Sequence, residues 1–384
     1  MKYIFVTGGV VSGLGKGITA ASIGRLLINR GFRVTIQKLD PYLNVDPGIM
    51  SPLEHGEVFI TEDGAECDVD VGHYERFIGR NFSRNNNLTS GRIYSTVINR
   101  ERTGEYNGKT IQVIPHITNE VKDVMRSIGL DKDIVIVEVG GTVGDMEQMA
   151  FIEAIRQFRK ELGFGNSISV HVTLVPNVHG EIKTKPTQHS VREISQMGVY
   201  PDFVICRTTS DTELTEDTRK KIAMYCNLDG PEFVIHNKDC ATIYQVPIMM
   251  KEQKLDDLIF AKLGLSAPEG DLSDWKKMVE GMLSPRKVNY NVSIIGDYVA
   301  TEDAYYSITE ALKHAGLACK VGINVKYVHT KDAEKIKNAD LKIFADKAPY
   351  VGKKPRPPQF SSKPYAPNKH FVDLIKNIAA KVSK

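Results

Sequence analysis

Lysines, carboxylates and glycines recur in this chain at spacings that suit phosphate chemistry. Gly8-Gly9-Val10-Val11-Ser12-Gly13-Leu14-Gly15-Lys16-Gly17 follows the apolar run Tyr3–Thr7 and precedes Ile18, Ala21, Ile23, Leu26 and Leu27, which recur at helical spacing. Strand, glycine loop and helix in that order cradle a nucleoside triphosphate. Glycines let backbone N–H groups turn inward toward phosphate oxygens, and the helix presents its positive end. Lys16 adds a mobile cation for the terminal phosphates. Five residues separate Gly9 from Gly15, one more than the usual loop has. Gly17 stands where a magnesium-binding Ser or Thr is usual, so other residues must carry more of the metal binding. An ordinary glycine-rich turn is the plainer reading, and the lysine and the helix that follow argue against it.

Further polar groups fall at the ends of apolar runs. Lys38 closes a second run, Arg33 to Lys38, and points to the crevice of the glycine loop. Glu138 follows Ile134–Val137 and precedes Gly140-Gly141-Thr142-Val143-Gly144-Asp145. An acid in that place is where phosphate-binding α/β proteins put a magnesium ligand. One acid of the loop Thr61–Asp70 would complete a hard-oxygen Mg²⁺ site with it. Lys183-Thr184-Lys185-Pro186-Thr187-Gln188, with two lysines and three neutral hydrogen-bonding side chains, suits a second phosphate-bearing ligand. Arg207 and Lys221 add cations beyond the need of one nucleotide, which points to two triphosphates.

The elements that must position these groups read as α/β. Continuous apolar runs at 3–7, 33–38, 134–137, 167–175, 203–206 and 233–236 have the pattern of buried parallel strands. Helical patterns such as Met149–Leu162 alternate with them. The expected fold is a P-loop NTPase-like α/β domain, a mostly parallel sheet with flanking helices, plus a reduced second α/β unit. Boundaries fall at 1–265 for the first domain, 266–290 for a linker that includes a helix around Trp275, and 291–384 for the second. In the second unit 292–296, 325–328 and 341–344 read as strands and Glu302–His314 as a helix.

Length and composition fit a globular protein of more than one domain: 384 residues, 41% hydrophobic and 25% charged. No apolar run approaches the roughly 20 residues that span a bilayer, and the first residues enter a strand at once. The expected location is cytoplasmic, without membrane or signal segment. Cys67, Cys206, Cys226, Cys240 and Cys319 form no C-x-x-C pair, and the ten histidines show no metal spacing. Net charge is +3, yet the last 34 residues hold eight Lys or Arg against Asp373 alone. That tail reads as a solvated, Pro-interrupted surface segment and not as a nucleic-acid site.

At this point the chain resembles CTP synthases. The resemblance rests on residues 3–12, Lys38–Gly48, Glu54–Phe59, Gly72–Phe77, Gln112–Thr118 and Lys183–Ser190, and runs through about residue 265. It implies a C–N ligase of pyrimidine biosynthesis that transfers the γ-phosphoryl of ATP to O4 of UTP, after which ammonia displaces phosphate. It further implies that Gly13, Leu14, Gly15, Lys16, Gly17 and Ile18 hold the ATP phosphates, with Lys16 and Lys38 as catalytic cations. Asp70 and Glu138 match the Mg²⁺ ligands. Ser12, Asp145, Met146 and Glu147 match contacts to UTP or CTP, and Lys183 to Gln188 with Lys221 match the pyrimidine nucleotide site. Arg207, Lys238, Asp239 and Cys240 match positions near the adenine nucleotide. A homotetramer and feedback by CTP are also implied.

The second unit departs from that pattern. Residues 292–328 and 360–376 resemble the start and the end of the family's glutaminase domain, with most of it absent between. No cysteine sits in a glycine-flanked elbow, and Pro357-Pro358-Gln359 replaces His-Pro-Glu. Cys319 reads as a surface loop residue. The resulting expectation is an ammonia-dependent enzyme without glutaminase activity, served by free ammonia or a separate source. The alternatives are another P-loop enzyme of the biotin-carboxylation type, a partner-regulated ATPase, or a silent nucleotide-binding subunit that co-assembles with a full-length synthase.

Overall fold

The computed structural model describes residues 1–11, 13–336, 338–345 and 369–382. The chain divides into two compact units, each discontinuous in sequence. The first comprises Met1–Val45 with Asn85–Leu272, the second Asp46–Arg84 with Ser273–Lys384.

The first unit is built on seven strands: β1 (Lys2–Gly8), β2 (Val34–Asp40), β3 (Asn87–Thr89), β4 (Ile134–Val139), β5 (Ser167–Leu174), β6 (Phe203–Thr208) and β7 (Val234–Lys238). Their order across the sheet is β7-β6-β5-β1-β4-β2-β3, and every pairing is parallel. β1, β2 and β4 are buried almost throughout, as runs such as Ile134–Val137 require of strands covered on both faces. On one face Tyr3 and Phe5 pack against Phe158 of helix Met149–Leu162, with the Tyr3 and Phe158 rings edge-on at 4.9 Å. Burying a side chain such as Phe158 stabilises the unit by roughly 1.5–3 kcal/mol.

β1 lies between β4 and β5, and the chain crosses to opposite sides of it. Parallel sheets open a ligand crevice at such a point, beyond the carboxyl ends of the strands. Helix Lys16–Asn29 starts there. Gly15, at its N-cap, has φ +80°, a left-handed conformation that leaves no side chain to cap the helix. The first-turn N–H groups are therefore directed at the crevice.

The second unit holds a three-stranded parallel sheet, β8 (Asn289–Gly296), β9 (Gly322–His329) and β10 (Leu341–Phe344), in the order β9-β8-β10. Helix Tyr306–Cys319 packs on it through Ala311, Leu312 and Ala315. Helix Lys369–Val382 adds Phe371, Ile375 and Ile378 to the same core. The described end of the basic tail is thus a packed amphipathic helix, not a solvated segment. Its i, i+4 and i+7 apolar spacing is the physical reason.

Residues 46–84 belong to this unit as well. Helix Val69–Ile78 begins at Asp68, whose carboxylate accepts from the Asp70 N–H at 2.9 Å, and ends at Gly79 with φ +74°. Phe77 packs on Trp275 with ring centroids 5.3 Å apart. The Glu57 carboxylate accepts from the Ser307 N–H at 2.9 Å and from the Ser307 hydroxyl. Arg76 donates to the same hydroxyl at 3.3 Å and lies over the Tyr306 ring.

Candidate functional site

The glycine loop gathers cations at the carboxyl edge of the main sheet. Lys16 is the first helical residue and is 8% exposed, its stem lying over Gly8. A Cβ on Gly8 would stand 2.7 Å from Lys16 Cδ, so the close approach itself requires glycine. Lys16 Nζ donates to the Gly141 carbonyl at 2.8 Å. It thus spans from the loop after β1 to the loop after β4. Gly13 and Gly15 are both left-handed, while Gly17 and Ile18 continue the first helical turn. Leu14 is buried beneath the loop. Ser12 lies outside the described residues.

Lys38 and Glu138 occupy the same register on neighbouring strands β2 and β4. Lys38 Nζ lies 2.9 Å from Glu138 Oε2, and both side chains are buried. Asp40, two residues on, brings Oδ1 to 3.8 Å from the same ammonium and accepts from Asn87 Nδ2 at 2.7 Å. Asp40 is a third buried polar group of this cluster that spacing alone had not singled out. Its placement follows from β2 alternation, which turns residues 38 and 40 to one face.

The donor chemistry fits a hard divalent cation held partly by the protein. Among the described residues no three His, Cys, Asp or Glu side chains come together as a self-sufficient metal cage. Magnesium characteristically uses one or two carboxylates and completes its shell with phosphates and water. Asp70 sits in the first turn of helix Val69–Ile78, not in a loop as the acidic run suggested. The Asp68 cap converts the end of that run into a helix start.

The loop after β4 is tied to β1, with the Val143 N–H donating to the Gly8 carbonyl at 2.9 Å. Asp145, Met146 and Glu147 follow it and are exposed. Asp145 also accepts from the Thr142 N–H at 3.1 Å. Beyond β5 the second lysine-bearing loop splits by role. Lys183 and Lys185 reach outward, with Pro186 at the helix start between them and the helix interior. Thr184, Thr187 and Gln188 turn inward. The Thr187 hydroxyl donates to the Leu174 carbonyl at 3.2 Å, and Gln188 Nε2 donates to Thr184 Oγ1 at 3.0 Å. Lys183 lies 2.5 Å from Glu181, and both Lys183 and Lys221 hold the Glu181 carboxyl below its usual range. The structure therefore pairs Lys183 with Glu181, within the electrostatic reach of Lys221.

Arg207, at the end of β6, stands beside the phosphate loop. A Cβ on Gly15 would lie 3.9 Å from its Nε. It donates to the Asn237 carbonyl at 3.0 Å and pairs with Asp239 at 2.5 Å. Lys238 pairs instead with Glu213, and Cys240 Sγ donates to the Lys238 carbonyl at 3.2 Å. Burial pushes the Cys240 thiol up, so it stays protonated.

One buried group went unnoticed in the sequence. His171, wholly buried in β5, meets Thr7 Oγ1 through Nδ1 at 2.9 Å and Ser190 Oγ through Nε2 at 2.7 Å. Burial, with the Lys16 charge nearby, holds its imidazole down at about 3. A single histidine inside an apolar run carries no signal that separates it from a core residue.

In the second unit Cys319 is the last residue of helix Tyr306–Cys319, not a loop residue, and burial pushes its thiol up. Pro357 and Gln359 lie outside the described residues. No helix among the described residues is long and apolar enough to cross a membrane.

A parallel seven-stranded sheet, a glycine loop opening onto a helix and the Lys38–Glu138 pair at the strand ends define an α/β protein of the P-loop NTPase kind. Residues 2–265 match the family model described as CTP synthase N-terminus. The chain is 54% identical over 338 residues to the CTP synthase of Clostridium acetobutylicum, covering 87% of this chain and 62% of that one. It is 52% identical over 336 residues to the CTP synthase of Methanocaldococcus jannaschii, with coverage of 87% and 62%. For the CTP synthase of Pelotomaculum thermopropionicum identity is 52% over 349 residues, with coverage of 90% and 64%. The chain belongs to the CTP synthase family, and the matches span under two thirds of these relatives' length.

Proposed function

We propose that this protein makes CTP from UTP, ATP and ammonia. The observation that carries this reading is the buried Lys38–Glu138 pair standing beside the Lys16 loop at one edge of the sheet. Phosphoryl transfer asks little covalent chemistry of a protein. It needs aligned anions, neutralised charge and excluded water. Lys16 and the N–H groups of Gly13 to Ile18 bind the ATP phosphates. Lys38 neutralises charge that develops on the transferred γ-phosphoryl. Glu138 and Asp70 would hold Mg²⁺, which would supply charge dispersal to the phosphates.

Lys183, Lys185 and Lys221 receive the triphosphate of UTP, and the buried Thr184, Thr187 and Gln188 hold that loop in shape. Ser12, Asp145, Met146 and Glu147 contact UTP or CTP. Arg207, Lys238, Asp239 and Cys240 lie near the adenine nucleotide, and Arg207 beside Gly15 supports a position next to the phosphate loop. CTP shares the triphosphate cations with UTP and therefore competes with it. Domain limits of 1–265, 266–290 and 291–384, a cytoplasmic homotetramer and an external ammonia supply complete the proposal. The deciding experiment is CTP formation by the purified chain with ATP, UTP, MgCl₂ and ammonium chloride. ATP cleavage that does not depend on UTP, with no CTP formed, would overturn it.

A further inference from the structure

Thr7, His171 and Ser190 form one unbroken line of hydrogen bonds through the interior of the first unit. Thr7 and His171 are register partners on adjacent strands β1 and β5, so the sheet itself fixes their separation. Ser190 is different. It lies on helix Lys185–Gln196, just beyond the lysine-bearing segment 183–188 that runs into that helix. Thr7 directly precedes Gly8 and Gly9, where the phosphate loop begins. The line therefore runs from the strand that launches one nucleotide loop to the helix that carries the other.

The fit at its far end is close. A Cβ on Gly9 would stand 1.9 Å from Ser190 Oγ and 3.5 Å from His171 Nε2. The helix presses against the backbone of the phosphate loop with only a hydroxyl between. An imidazole is rigid, and its two nitrogens face opposite ways. Bonded at both, it acts as a strut of fixed length, and hydrogen-bond directionality selects one position of the helix along β5. An apolar side chain at 171 would fill the space but leave the Ser190 hydroxyl buried and unbonded, and would permit the helix to slide.

We infer that Thr7, His171 and Ser190 are positioning residues that set the distance between the ATP phosphate loop and the UTP loop, so that the γ-phosphoryl passes to uracil O4 and not to water. This rests on the assignment of the two loops made above. In both fates the bond between the γ-phosphorus and its bridging oxygen to ADP breaks. With O4 as acceptor the products are ADP and 4-phosphorylated UTP. With water they are ADP, inorganic phosphate and a proton. Only the acceptor differs, so the ratio of ADP to CTP formed reports the spacing. Reaction geometry is sensitive on that scale, since a displacement of about 1 Å costs on the order of a hundredfold in rate.

The test uses the whole chain with ATP, UTP, MgCl₂ and ammonium chloride, and ADP and CTP are quantified in the same reaction. Ser190→Ala removes one end of the strut and Thr7→Val the other. Each variant is expected to raise ADP per CTP at least about threefold and to raise the KM for UTP, while the KM for ATP stays within about twofold. A residue that merely supported the fold would lower both products together. If Ser190→Ala does not fold, Thr7→Val carries the same expectation. Variants that form CTP with the native ratio would overturn the inference and leave the proposed function standing. A native chain that forms no CTP would remove the function and the inference with it.

Discussion

Lys38 and Glu138 face each other across two adjacent parallel strands, with Nζ 2.9 Å from Oε2 and almost no water around either group. A pair so buried contributes little to stability as a pair, yet removing Glu138 leaves Lys38 the longer contact to Asp40, at a cost of up to about 3–5 kcal/mol. Glu138→Gln, which keeps the volume, is expected to lower ammonia-dependent CTP formation at least about a hundredfold and also to lower the unfolding midpoint. Asp70→Ala, at a partly buried helix start, should lose activity comparably with a much smaller change in midpoint. Initial rates and denaturant curves on the two variants separate these outcomes. Near-native activity in either would remove that residue from the metal site.

Lys183, paired with Glu181, and Lys221 lead to a second expectation. Lys183→Ala and Lys221→Ala should each raise the KM for UTP and the inhibition constant for CTP together, by about tenfold, because one set of cations serves both triphosphates. The KM for ATP should stay within about twofold. Steady-state kinetics with CTP as inhibitor checks this. CTP inhibition that ignores the UTP concentration would contradict it.

His171 gives the fold a pH dependence whose sign can be worked out. Its folded value of about 3 lies below the ordinary 6.5, so the native state excludes a proton that the unfolded chain accepts. The stability it preserves is fully present above about 6.5 and is lost as pH falls toward 3, at up to about 1.4 kcal/mol per pH unit. His314 in the second unit, held down at about 4, acts in the same direction. Urea unfolding between pH 4 and 7 should show this slope, and His171→Gln should flatten it.

Much of the first unit is written in local sequence. Ile134–Val137 reads as a buried strand because both of its faces must be apolar, and Glu138 stands out as the acid that ends it. Lys16 is legible because only a strand, a glycine loop and a helix surround it. Other features depend on partners far away in the chain. Glu57 and Ser307 are 250 residues apart, and neither carries a pattern that names the other. Asp40 and His171 acquire meaning only from the strands beside them. The helix at Asp68 was hidden because a run of acids looks alike in a loop and at a helix start.

Glutamine should not replace ammonia as the nitrogen donor. Hydrolysis of a carboxamide needs an activated thiolate, a base and an oxyanion hole. Cys319, in the second unit, is half-buried with its thiol pushed up, which disfavours the thiolate. Pro357 cannot accept a proton, and Gln359 cannot support an imidazolium. With ammonium chloride CTP formation should rise with pH as more NH₃ is unprotonated. With glutamine alone it should fall by at least about a thousandfold, and GTP should not restore it. Glutamine-driven synthesis at a comparable rate, by protein free of contaminating glutaminase, would refute this.

The chain leaves its first unit at residue 45, returns at 85 and leaves again at 272. On a ribosome, therefore, residues 46–84 emerge long before the segment that covers them. At roughly 10 residues per second, Ser307 is made about 20 s after Arg76. During that interval Glu57 and Arg76 lack Ser307, and Phe77 lacks Trp275. A stop codon placed near residue 272 would leave residues 46–84 permanently unmatched. The segment 273–345 thus supplies the packing partners with which residues 46–84 finish folding.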